Sequence, residues 1–380
     1  MALHGGLYAE DMEDLYHGPM AYFYLIAGLF IAIAAAAGFG FFLTFIGDLA
    51  PNSFWQNPWI RGFVGALAWA IIIGVGGLYL TWVERKFMAR VQMRYGPNRW
   101  GKFGLLQPIA DAIKLLRKED IIPTAADSAV MRLAPIVAFA PTFLLFAAVP
   151  WTREYVASKM DIGVLFIVAV SSLGPIGAIM AGWGPNNKYN ILGGMRLAAQ
   201  EIAYIIPLVL SIIGPVAVAQ SLNGVAIVEA QAGTWFGLIP RWNLFPQILG
   251  AVIFFIAYMA ETERVPFDIP DAEGEVVHGF TAEYSGMKFT LLLLMEYVHL
   301  IAGGALFVVL YMGGYLGPSF LSPFAWFTIK LMSVIFFMML IRAVMFRVRV
   351  DQMLTLGWKI LLPLALFNIG FIGIYLALTV

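Results

Sequence analysis

The stretch FPQILGAVIFFIAYMAETERVPFDIPDAEGEVVHGFTAEYSGMKFTLLLLMEYVHLIAGGALFVVLYM, residues 245–312, sets an acidic segment between two apolar runs. From Glu261 to Lys288 it holds seven carboxylates, Glu261, Glu263, Asp268, Asp271, Glu273, Glu275 and Glu283, against one internal arginine, Arg264. The run that follows is long enough to cross roughly 30 Å of hydrocarbon as a helix. The chain therefore leaves a membrane and re-enters it around this loop. Carboxylates clustered at such a boundary are costly unless solvated, paired or protonated. Two readings stand: a solvated acidic loop, or a set of groups with raised pKa that handle protons. Val265, Phe267, Ile269, Val276, Val277 and Phe280, interspersed among the charges, favour a partly packed loop.

The composition agrees with a membrane setting. Of 380 residues 61% are hydrophobic and 12% charged, and mean hydropathy is +0.83, which is far too apolar for a soluble domain. Nine runs reach spanning length, at about 21–46, 62–83, 133–151, 162–182, 197–219, 245–260, 289–312, 324–341 and 360–378. The sixth is short and is expected to extend in both directions. The expected fold is all-α, one polytopic integral membrane domain of about nine helices with long loops. There is no cysteine to ligate an iron–sulfur cluster or attach haem. Of the histidines His4, His17, His278 and His299, only His299 lies within an apolar run. Haem held by paired intramembrane histidines is excluded and no metal site is expected, so electrons in any redox role belong to a partner. The N-terminal MALHGGLYAEDMEDLYHG lacks the basic region of a signal peptide. No phosphate-binding loop, dinucleotide fingerprint or Ser/His/Asp arrangement is found, and no nucleic-acid partner is expected.

Loop charges predict orientation. Loops 84–130, 184–196, 261–288 and 342–359 carry seventeen basic residues, and the opposite side has four, Arg61, Arg153, Lys159 and Arg241. The positive-inside rule places the first group, with the N-terminus, in the cytoplasm and the C-terminus outside. Within loop 84–130, the punctuated YGPNRWGKFG predicts an ordered turn. After it Leu105, Leu106, Ile109, Ile113 and Leu116 recur at helical spacing, with Asp111, Lys114, Arg117 and Lys118 on other faces. That pattern is an amphipathic helix for the membrane interface or a groove between helices. A basic loop that only sets topology explains the charges but not the Gly/Pro punctuation.

Ionisable groups also fall within spans. If the fifth helix starts near Leu192, Arg196, Gln200 and Glu201 occupy its first turns. Glu201 suggests a proton path, because an intramembrane carboxylate is expensive. Glu296 and His299, at i and i+3, can share a face of the seventh span, and Lys330 lies in the eighth. The sparse set Glu201, Glu296 and Lys330 suits proton transfer better than bulk solute transport. Static ion pairs, Glu201 with Arg196 among them, are the alternative.

The block ERKFMARVQMRYGPNRWGKFGLLQPIADAIKLLRKEDIIP resembles the signature loop of the quinone-site membrane subunit of respiratory complex I, the proton-pumping NADH:quinone oxidoreductase. WGPNNKYNILGGMRLAAQ, AETERVPFDIPDAEGEVVHGFTAEYSGMKF, MEYVH and RVRVDQMLTLGWKILLPLAL agree in order, so the likeness runs from about residue 76 to 363. The first span resembles an N-terminal addition. The resemblance implies a subunit joining the membrane and peripheral arms, with quinone as bound substrate. Its partners would be the peripheral iron–sulfur and quinone-site subunits, small membrane-arm subunits and the lipid of a bacterial plasma membrane. The third to seventh spans would form a five-helix unit like half an antiporter channel. By carry-over Glu84, Arg85, Arg94, Asp111 and Arg264 line or support the quinone passage, and Glu261, Asp271, Glu273, Glu275 and Glu283 link it to the membrane proton path. Three positions depart from the family pattern. Ala203-Tyr204-Ile205 stands for SYE, Glu263 makes ETER of ETNR, and Val350 makes RVDQ of RYDQ. A membrane anchor of an energy-converting hydrogenase, or of a complex oxidising another carrier, is the nearest competing function. A stand-alone cation/proton antiporter is the competitor from another class, but it has no use for a basic and an acidic loop that look like docking surfaces on one side.

Overall fold

A computed structural model describes residues 58–153, 156, 160–235, 239–318 and 320–379, with side chains from residue 73 onward except at 235, 239, 273 and 379. The expected first span, His4, His17, Arg61 and Lys159 therefore lie outside the described residues or side chains. The chain divides into two units, Met1–Phe63 and Val64–Val380, and the description concerns the second.

Helix α1 (Pro58–Val91) ends in the basic loop, which carries α2 (Gln107–Arg117). Then come α3 (Ser128–Leu144), α4 (Gly163–Ser171), α5 (Gly174–Trp183), α6 (Lys188–Ala219) and α7 (Gly224–Ala230). After a two-residue ribbon, Thr234–Trp235 against Ile239–Pro240, follow α8 (Ile248–Glu261), the single turn α9 (Glu273–Val276), α10 (Gly286–Tyr311) and α11 (Pro323–Val344). The last span is continuous through α12 (Val350–Thr355), a π-helical stretch (Leu356–Leu361) and α13 (Leu362–Thr379). Six helices among the described residues are long and apolar enough to cross a membrane. The architecture is all-helical, as expected.

Several boundaries differ from the sequence reading. The fourth span breaks into α4 and α5 because Pro175 occupies the first turn of α5, where its missing N–H costs nothing. Helix α6 starts four residues before Leu192, since the Asn187 side chain caps the Tyr189 N–H. The sixth span does not extend in both directions. Helix α8 runs for 14 residues, starting at Ile248 and reaching only one residue past Ala260, or about 21 Å. The Thr262 N–H bonds Tyr258 O and the chain turns at Glu263, whose φ of +53° is left-handed.

Helices α3, α5, α6, α8 and α10 close a ring, each packing on the next and α10 on α3. This matches the five-helix unit expected for the third to seventh spans. At the α8–α10 seam Phe254 lies 5.8 Å from Phe307 and 5.9 Å from Tyr311, ring centre to ring centre. Gly303 lets this seam close, because a Cβ there would stand 1.7 Å from the Tyr258 ring.

Candidate functional site

The acidic loop is folded down onto the helix ends. Gln200, fully buried in α6, donates to Ala260 O (2.7 Å) and Phe267 O (3.0 Å), and Asn190 donates to Phe280 O (3.0 Å). Phe267, Ile269, Val276 and Phe280 are buried, as a partly packed loop requires, whereas Val277 is exposed. Gly279 fixes the return turn. Its φ is +51° and a Cβ would lie 1.7 Å from Pro270 O, so no other residue fits.

All four loops counted on the basic side meet here. Arg196 pairs with Glu275 (2.5 Å) and Asn187 donates to Glu283 (2.6 Å), tying down the start of α6. From the basic loop, Asp120 meets Lys288 (2.8 Å) and Glu119 O accepts from Ser285 (2.9 Å). From the segment after α11, Arg347 pairs with Asp268 (2.7 Å) and Val348 N–H donates to Pro266 O (3.0 Å).

At the centre Arg264, 2% exposed, reaches Glu84 of α1 (2.9 Å) and Glu296 of α10 (3.2 Å) and stacks 4.7 Å from the Tyr297 ring centre. Arg342, at the end of α11, contacts the same Glu84 oxygen, Oε1. Two arginines thus balance two carboxylates. Burial alone would lower the Arg264 pKa, but Glu296 and Glu84 reverse this and hold it above the ordinary arginine value. Two loop carboxylates are raised as well, which for an acid favours the neutral form. Burial raises Glu263 well above the usual range, with Glu296, Asp271 and Asp268 adding repulsion. Burial also raises Asp271, although His278 (2.7 Å) and Thr281 (3.2 Å) bond it.

Glu84, Arg264 and Glu296 are thus brought together. Glu261 faces His299 at 3.7 Å. Asp271, Glu275 and Glu283 are all bonded within the loop region, and Glu273 opens α9 with its side chain outside the described residues. Arg85 and Asp111 pair at 2.9 Å on the exposed basic loop, beside α2. Arg94 is exposed, bonded to Gln92 (2.8 Å), and stands apart from the buried knot. On α2, Leu106, Ile109, Ile113 and Leu116 are 42–60% exposed, so the predicted apolar face is open to lipid or a partner.

Glu201 is not paired with Arg196, which Glu275 has taken, and makes no ion pair among the described residues. The charges acting on it are those of Glu261 and Glu263. Lys330 makes no ion pair among the described residues. Its Nζ donates to Met312 O, Gly314 O and Leu316 O (2.8, 2.9 and 2.6 Å), closing the end of α10, and sits 4.8 Å from the Trp242 ring centre. Sequence reasoning missed Arg342, Tyr297 and the loop-anchoring role of Gln200. Arg342 was visible as the first charge after the eighth run, but only as a topology signal.

A family model described as NADH dehydrogenase matches residues 64–373. The chain is 48% identical over 311 residues to the H subunit of NADH-quinone oxidoreductase from Dehalococcoides mccartyi, covering 82% of this chain and 86% of that protein. It is 46% identical over 319 residues to the Geobacillus thermodenitrificans protein of the same name (83% and 94% covered) and 45% over 304 residues to that of Brevibacillus brevis (79% and 88%).

Proposed function

The chain belongs to the NADH dehydrogenase family, with the H subunits of NADH-quinone oxidoreductase, and from that premise we propose how it serves such a complex. It walls the quinone chamber together with peripheral-arm subunits and carries protons between that chamber and the membrane. The observation that carries this reading is the convergence of four distant loops on one acidic segment, with Arg264 buried between Glu84 and Glu296.

Reduction of a quinone to quinol takes two electrons and two protons. The electrons come from a partner's iron–sulfur cluster, since this chain has no cysteine to hold one. The negative charge that develops on the quinone perturbs nearby carboxylates. Glu263 and Asp271, already raised by burial, hold a proton more readily than ordinary carboxylates and are suited to passing one on. Arg264 and Glu84 fix the inner end of the passage, while Arg85, Asp111 and Arg94 stand at its exposed mouth. Glu261, Glu273, Glu275, Glu283 and Glu296 continue the acidic chain. The basic loops face the cytoplasm of a bacterial plasma membrane, where the peripheral arm docks on them.

Glu201 takes the relay role of the carboxylate missing at Ile205. Residues four apart lie on one helix face about 6 Å apart along the axis, within reach of a long side chain and a water. In membranes containing the assembled complex, Glu201→Gln is expected to lower quinone turnover and proton translocation together, and adding Ile205→Glu to restore part of both. Full pumping by Glu201→Gln removes Glu201 from the route.

A further inference from the structure

Glu261 Oε1 and His299 Nε2 are 3.7 Å apart, too far for a direct hydrogen bond. A cavity of about 20 Å³ opens beside both, lined by α4, α6, α8, α10 and the turn after α3. That is space for one water, and far too little for a quinone or an acyl chain. Its polar wall is Ser171, Tyr258, Glu261 and His299, and the rest is apolar, with Leu145 and Leu208 across from the acid. The Tyr258 hydroxyl is already engaged, donating to His299 O and accepting from the Gly303 N–H (3.0 Å). Ser171 donates to Val168 O (3.0 Å), which leaves its oxygen free to accept. A water here has Glu261, His299 and Ser171 to bond, within the two to four partners that buried waters use.

We propose that this cavity holds one water bridging Glu261 to His299, and that His299 is a proton-accepting station one step deeper in the membrane than the acidic loop. The proposal rests on the reading that the acidic loop carries protons. Protonated Glu261 gives its O–H proton to the water oxygen as the water gives one of its hydrogens to Nε2. Glu261 becomes carboxylate, His299 becomes imidazolium, and the water is restored. Neutral His299 must therefore carry its own proton on Nδ1. The charged or titratable groups facing it are Glu261 and Tyr258 of α8. The cavity walls from α4, α6 and the turn after α3 bring only Ser171, Leu208, Leu145 and their apolar neighbours.

The test uses the assembled complex in sealed membrane vesicles. His299→Leu removes the acceptor, and Ser171→Leu fills the water space with both titratable groups intact. Each is expected to lower quinone turnover and proton translocation on the order of a hundredfold, the low end for loss of a positioned proton carrier. NADH oxidation by ferricyanide should persist, and one ionisation should vanish from the pH profile of quinone reduction. His299→Gln, which keeps size and hydrogen bonding but not basicity, should behave like the leucine variant. It also decides the matter if His299→Leu does not assemble. Normal turnover, pumping and pH profile in His299→Gln would make the ring a packing element and overturn the proposal, and the same result in Ser171→Leu would overturn the bridging water. Glu261→Gln separates the two levels: if it alone were fully active and fully coupled, the acidic loop would leave the proton route and the underlying reading would fail first.

Discussion

Arg264→Met removes one cation from a buried knot of two arginines and two carboxylates. Arg264 is 2% exposed and holds Glu84 at 2.9 Å and Glu296 at 3.2 Å. Glu84 keeps a partner, because Arg342 also contacts it. Glu296 does not, since Arg264 is its only ion-pair partner among the described residues. Breaking a buried pair by removing one member costs about 3–5 kcal/mol, whereas removing both charges is often nearly neutral. Glu296 is 31% exposed and so partly solvated, and the single variant should therefore lose stability at or below the low end of that range, seen as a smaller amount of this chain in the assembled complex and a lower midpoint of thermal loss. Adding Glu296→Gln should recover most of it. Adding Glu84→Gln should recover little, because it strands Arg342 as well. Activity need not follow stability: NADH:quinone turnover stays low in every variant while ferricyanide reduction survives. Equal rescue by Glu84→Gln and Glu296→Gln would refute the charge balance drawn here.

Gly279→Ala should cost about 1–2 kcal/mol for the left-handed turn alone, and more for the clash with Pro270 O. Protease cleavage within the acidic loop of the assembled complex would report it. Lys330→Met leaves three carbonyls without their donor, each worth about 1–3 kcal/mol when buried and unsatisfied. It should reduce the amount of complex without changing turnover per complex, and altered coupling would contradict its role as a helix cap. Because the Asp271 pKa is raised in the folded loop, its contribution to stability is present at low pH and lost as pH rises through the raised value. Amide protection in the loop, taken relative to the intrinsic exchange rate at each pH, should fall as pH rises through that value, and Asp271→Asn should flatten the change.

Much of the architecture was legible because it rests on local quantities. Run length located the six long apolar helices among the described residues, and loop charge grouped the four loops that meet at the acidic segment, but the break at Pro175 in the fourth span went unread. The site was legible in composition but not in pairing. Glu296 and His299 share a helix face by spacing, yet one turns to Arg264 and the other to Glu261. The contacts of Glu84 with Arg264 and Arg342 span 180 and 258 residues, and no periodicity encodes a partner at that distance. The partners of Lys330 were hidden for a related reason. Its cost in an apolar run is local, but the carbonyls that satisfy it belong to the turn after another helix.

The Phe254, Phe307 and Tyr311 rings at the α8–α10 seam pack within 6 Å of one another, beginning two turns along α8 from Glu261, and offer few dipoles that can reorient in a field. A membrane voltage drops mainly across its least polarisable layer and is worth about 2.3 kcal/mol per elementary charge per 100 mV. Glu201, Glu261 and His299 all lie on the loop side of these rings, so protonating them moves little charge through the field. The work against the voltage is deferred to whatever carries the proton onward. In electrical terms the rings are the dielectric of a capacitor whose inner plate is the acidic cluster, and thinning them would open a short circuit.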